Sequence, residues 1–160
     1  ICLSAIALGL EPHTDEVMKE KPRPRSEGIL TRSFLTSVAV EGLVIALATI
    51  AAFHIGLQNG GAETASTMAF ATLCLSRLFH GFNCRADASI FKLGLRSNIY
   101  SILAFLAGLV LLNAVLFIPA FHGLFLVADL TLIDIGWIYL LAFIPTVLIQ
   151  IYKVIKERVK

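Results

Sequence analysis

The chain has 160 residues, 58% of them hydrophobic and only 15% charged, with a mean hydropathy of +0.85. A soluble domain is nearer half apolar and a quarter charged, so this composition excludes an ordinary soluble core and places the chain in the membrane class. The net charge of +2 carries less information than the placement of the charges, and no nucleic-acid partner is expected.

In chain order, Ile1 to Leu10 is apolar and reads as the tail of a helix whose body lies upstream. It has no basic region before it and no initiating Met, so a signal peptide is not expected. Glu11 to Arg32 is polar, opening with Glu11-Pro12-His13-Thr14-Asp15-Glu16 and including Lys21-Pro22-Arg23-Pro24-Arg25. Proline at alternating positions forces an extended path. Read from its residues alone, this segment is a solvated linker.

Four apolar stretches follow, each near the 20 residues that span about 30 Å of hydrocarbon. The first is Phe34 to Leu57, interrupted by Glu41 and His54. The second is Thr64 to about Cys84 and carries Arg77. The third is Asn98 to about Phe117, stopped by Pro119. The fourth is about Leu132 to Tyr152, with Pro145 inside. The fold class expected is therefore an all-α membrane protein, a four-helix transmembrane bundle at 34–160 preceded by a helix end and loop at 1–33. Gln58–Glu63 and His122–Thr131 are expected to be loops.

Orientation follows from the basic residues. Lys19, Lys21, Arg23, Arg25 and Arg32 precede the first span, Arg85, Lys92 and Arg96 separate the second and third, and Lys153, Lys156, Arg158 and Lys160 follow the fourth. Twelve of the 13 Lys and Arg thus fall on one side, which the positive-inside rule makes cytoplasmic. The expectation is a multi-pass protein of the cell membrane with 11–33, 85–97 and the C-terminus in the cytoplasm. Trp137 and Tyr139 are expected to anchor the outer interface and Tyr152 the inner one. Cys74 and Cys84 would lie roughly 15 Å apart along one helix, too far to bridge, so no disulfide framework is expected.

Arg77 is the thirteenth basic residue and lies inside a span. An intramembrane charge is costly and a functional candidate by default, although a side chain about eight residues from the cytoplasmic loop can also snorkel to the interface. His80 and Asn83 follow at i+3 and i+6 and extend a polar stripe. Glu41 has a similar depth in the first span. It can pair with Arg77, make an interhelical hydrogen bond, or remain protonated. His54 and Asn113 read as packing-level hydrogen-bonders. No phosphate-binding glycine loop, Cys-x-x-Cys, His-Glu-x-x-His or Gly-x-Ser-x-Gly occurs. No catalytic residue, metal ligand or resident cofactor is expected in the chain.

Leu3-Ser4-Ala5-Ile6-Ala7-Leu8-Gly9-Leu10-Glu11-Pro12, then Asp15-Glu16-Val17-Met18, then Lys21-Pro22-Arg23-Pro24-Arg25 resembles the end of the sixth transmembrane helix and the following loop of P-type cation pumps. Ala69 to Asn83 looks like their eighth helix, Ser89-Ile90-Phe91-Lys92 and Ser97-Asn98 like the next cytoplasmic turn, and Ile144-Pro145 like the tenth helix. The resemblance covers essentially the whole chain and is nearest the bacterial calcium pumps of the type IIA branch. It implies a parent that transports Ca²⁺ at the expense of Mg-ATP. This chain would be the support for the ion-translocating core, partnered by the bilayer, the other transmembrane helices and a phosphorylation domain. It also turns Asp15, Met18, Arg23, Pro24 and Arg25 into candidates for a coupling loop, and Glu41, Arg77, His80 and Asn83 into candidates for lining an ion site.

The chain departs from the family pattern in three places. Ile1 stands where an ion-binding Asp is usual and Ser4 where a Pro is usual. Arg77 stands where two-site calcium pumps carry a Glu ligand, and a guanidinium has no lone pair to offer Ca²⁺. The D-K-T-G-T phosphorylation motif is absent, so ATP hydrolysis by this chain alone is not expected. A pump for Na⁺, K⁺ or Mn²⁺, and a free-standing four-helix assembly module, are the alternative readings.

Overall fold

The structure, a computed structural model, describes residues 32–83 and 99–159. These are almost entirely helical, with no strand among them. They form α1 (Arg32–Asn83), α2 (Ile99–Phe117), α3 (Pro119–Phe125) and α4 (Leu132–Val159). The coupling-loop candidates Asp15, Met18, Arg23, Pro24 and Arg25 lie outside the described residues.

The 52 residues of α1 are two helical limbs. Helical geometry breaks at Gly61, with φ 81° and ψ −163°, a backbone region open essentially to glycine alone. The reversal is shown by contacts that a straight helix forbids. Glu41 and His80, 39 positions apart, meet at 3.4 Å. Gly56 lies so near Ala65 that a Cβ on it would sit 2.7 Å from the Ala65 Cα. The limbs are therefore antiparallel and in close backbone contact, the kind of packing that small residues permit between membrane helices.

Phe34–Gly81, Ile99–Phe117 and Leu132–Tyr152 are each long and apolar enough to cross a membrane. The first of these has 48 residues, roughly 72 Å of helix at 1.5 Å per residue, or twice the hydrocarbon thickness. Folded at Gly61 it supplies two crossings, making four among the described residues. The protein is an all-α membrane protein.

The four spans fall close to their expected bounds, but the connections differ. Gln58–Glu63 is not an open loop, because helix continues to either side of the single break at Gly61. Pro119 ends α2 as expected, yet it also opens α3, so His122–Phe125 is helical rather than loop. Proline is well suited to a first helical position, where its missing N–H would have had no partner. Leu126 closes α3 in the left-handed region (φ 52°), and the Val127 N–H donates to the His122 carbonyl at 3.1 Å. Helix also continues past Tyr152 to Val159.

α4 packs chiefly on the hairpin and α2 more lightly. The core is built from Ala52, Met68, Ala71 and Leu75 of the hairpin, Leu112, Val115 and Leu116 of α2, and Ile138 and Ala142 of α4. Phe79 marks where three elements converge, with its ring centroid 5.6 Å from those of both Phe105 and Phe143. Most other large apolar side chains point outward, as befits a surface covered by lipid or further helices instead of water.

Candidate functional site

The second limb of α1 carries Arg77 and His80 on adjacent sides, roughly 60° apart at three positions' separation. That difference decides their surroundings. His80 turns toward the first limb, where its Nε2 lies 3.4 Å from the Glu41 Oε2, and both side chains are mostly buried. Arg77 is exposed on the outer surface of the bundle. It forms no hydrogen bond or ion pair among the described residues. The Glu41–Arg77 pairing that depth alone permits is thus replaced by Glu41–His80. Asn83 closes α1, and its side chain lies outside the described ones.

His54 and Gln58 stay together on the exposed side of the first limb, with their Nε2 atoms 3.3 Å apart. Asn113 is an interhelical hydrogen-bonder as expected. Its Nδ2 donates to the Leu109 carbonyl at 2.8 Å, and its Oδ1 accepts from the Tyr139 hydroxyl at 2.9 Å. Tyr139 is therefore tied to α2 rather than only anchored at an interface.

At the end of the bundle opposite Glu41 and His80 lies a polar junction that the sequence reading missed. Asp134 is 2% exposed. Its Oδ1 accepts from Asn59 Nδ2 at 2.7 Å. Its Oδ2 accepts from the Thr131 hydroxyl at 2.6 Å and the Thr131 N–H at 3.1 Å. The Asp134 N–H in turn donates to Thr131 Oγ1 at 3.3 Å. This reciprocal pattern is a capping box, with Asp in the place usually held by Glu or Gln. The Thr131-Leu132-Ile133-Asp134 spacing before an apolar run was its signal. Beside it, the Ala128 N–H donates to Thr67 Oγ1 at 2.9 Å. The junction joins the hairpin turn to the start of α4. Among the described residues no group of three His, Cys, Asp or Glu is arranged to hold a metal ion.

Comparison with known proteins agrees with this architecture. The sequence profile of the family described as "Cation transporting ATPase, C-terminus" matches residues 2–155. Calcium-transporting ATPase 1 of Bacillus cereus is 35% identical over 97% of this chain and 19% of its own length. A calcium-transporting ATPase of Bacillus subtilis is 36% identical over 92% of the chain and 17% of its own length. One from Listeria monocytogenes is 34% identical over 98% and 18%. The chain thus spans less than a fifth of the length of these relatives. A membrane bundle of this form, matched by the family profile along nearly its whole length, belongs to the C-terminal family of the P-type cation-transporting ATPases and is similar to its bacterial calcium-transporting members.

Proposed function

We propose that the chain is the C-terminal membrane region of an ATP-driven calcium pump of the cell membrane. It would support an ion-translocating core built mainly by helices outside it. The observation that carries this reading is the 35% identity to a calcium-transporting ATPase across 97% of the chain. Ca²⁺ would be the transported ion, with Mg-ATP bound by other parts of the pump. The other transmembrane helices and the phosphorylation domain would be its partners, the latter reached through Asp15, Met18, Arg23, Pro24 and Arg25. Segments 11–33 and 85–97 and the C-terminus would lie in the cytoplasm.

Arg77 is the feature that would set the stoichiometry. In the pump its outward side chain would face a helix beyond this chain, where a carboxylate can hold it. A fixed cation in the place of a calcium ligand repels a divalent ion and stays protonated at any physiological pH. The pump is then expected to move one Ca²⁺ per ATP. Calcium uptake and ATP hydrolysis, measured together on the purified full-length pump in vesicles, test this. Replacing Arg77→Glu should preserve transport through the remaining site and can recruit a second ion. Two ions per ATP with Arg77 intact would refute the stoichiometry and assign Arg77 to the membrane interface. Transport of a different cation would refute the calcium reading itself.

A further inference from the structure

Thr72, Ser76 and His80 recur at every fourth position of the second limb and so share one side of it, each step turning by about 40°. Thr72 and Ser76 are both 0% exposed, and neither hydroxyl makes a hydrogen bond among the described residues. Buried hydroxyls without partners are costly in an apolar medium, and here two occur one turn apart. On α4, which packs against the hairpin, Thr146 and Gln150 flank the buried face formed by Ala142, Pro145 and Ile149. At the end nearest Arg32 the side shared by Thr72 and Ser76 terminates in two ionisable side chains from different limbs, His80 and Glu41.

The pair has three charge states. It carries −1 with no proton, zero with one and +1 with two. Both side chains are mostly buried, 15% and 18% exposed, within the Phe34–Gly81 span. There an uncompensated charge is expensive, and only the one-proton state is neutral. The other ionisable groups with described side chains near this end are Arg32 at the start of the first limb, Arg77 with its exposed side chain, Tyr100 on α2 and Tyr152 on α4. Thr146 and Gln150, the polar groups beside the buried face of α4, do not ionise.

We propose that Glu41 and His80 together form an intramembrane proton-binding site. It holds one exchangeable proton drawn from the membrane face that carries Arg32, and the buried Ser76 and Thr72 hydroxyls extend it as a polar seam toward the middle of the bundle. The ligand is a hydrogen ion, and no bond is made or broken beyond its transfer between the carboxylate oxygen and the imidazole nitrogen. Because the two groups sit on opposite limbs, the proton also joins the halves of the hairpin.

Infrared difference spectroscopy of the full-length protein in lipid, recorded through a pH titration, tests the proposal. A carboxyl band lost in Glu41→Gln identifies the site, and Glu41→Asp should retain such a band at a shifted frequency. The midpoint of the Glu41 band should move in His80→Gln, because the proton then has one holder instead of two. In the unaltered protein the carboxyl band and an imidazole band should titrate together. That readout decides the matter even where a variant fails to insert. Spectra unchanged by Glu41→Gln, a midpoint unmoved by His80→Gln, or separate carboxyl and imidazole midpoints would each overturn the proposal.

Discussion

Gly56 and Ala65 show how tightly single residues fix this bundle. A methyl group at Gly56 would meet the Ala65 Cα at 2.7 Å and the Ala65 N and Met68 Sδ at 3.0 Å. Two of these are backbone atoms, which cannot rotate aside. Gly56→Ala should therefore force the limbs apart, at a cost of about 1–3 kcal/mol as in other overpacked interiors. Chemical denaturation of the full-length protein in mixed micelles measures this. Unaltered stability would mean the limbs approach less closely at this level. The polar residues were legible as a set, because charge and amide groups stand out in apolar sequence. Their pairing was less legible. Glu41 has nearly equal depth with respect to Arg77 and His80, and periodicity alone does not say which of two positions about 60° apart faces the neighbouring limb. Only the placement of the turn at Gly61 and the resulting register bring His80 to Glu41 and leave Arg77 outside.

At the scale of the elements, hydrophobic length located all four spans, because a bilayer imposes a minimum length that few soluble helices meet with so little charge. The connections were less legible, since Pro119 reads from sequence only as a stop and Gln58–Glu63 only as a polar loop. Pro119 both ends α2 and begins α3, and the Gly60-Gly61 pair supports a reversal with almost no loop. The start of α4 was correctly placed at Leu132, while the capping box that produces it went unread. Asp134 is the shared acceptor there, serving Asn59 of the hairpin and Thr131 of its own helix start. Asp134→Ala should strand three donor groups, on Asn59 and Thr131, and destabilise the protein by about 1–3 kcal/mol. Tyr139→Phe, which removes only the hydroxyl bonded to Asn113, should cost nearer 0.6 kcal/mol, roughly the average for such bonds between membrane helices. Denaturation of the two variants side by side checks the order. A larger loss for Tyr139→Phe would make the α2–α4 contact, and not the hairpin–α4 junction, the stronger tie.

For the molecule as a whole, topology rests on two independent lines. One is charge, since all the basic residues except Arg77 fall in segments expected on one side of the membrane. The other is geometry. Glu41 with His80, and Phe79 with Phe105, place the start of the first limb, the end of the second and the beginning of α2 at one end of the bundle. Asn59 with Asp134, and Thr67 with Ala128, place the hairpin turn and the start of α4 at the other. The ends that segment 84–98 must join therefore share a face with Arg32, where the charge pattern requires them. The bundle alone does not say which face is cytoplasmic, because a helix bundle can be inverted without altering one internal contact. The positive-inside rule breaks that symmetry, and labelling tests it directly. Gly123 lies in α3 at the hairpin-turn end, is exposed, and has nothing within 4 Å of where its Cβ would be, so Gly123→Cys should fold normally. In intact cells expressing the full-length protein, a membrane-impermeant thiol reagent should modify Gly123→Cys. It should leave Arg25→Cys and Lys92→Cys unmodified until the cells are opened. Each variant is made in a background from which every native cysteine, Cys2, Cys74 and Cys84 included, has been removed. Modification of Arg25→Cys from outside would invert the bundle and place the Glu41–His80 pair on the outer side of the membrane.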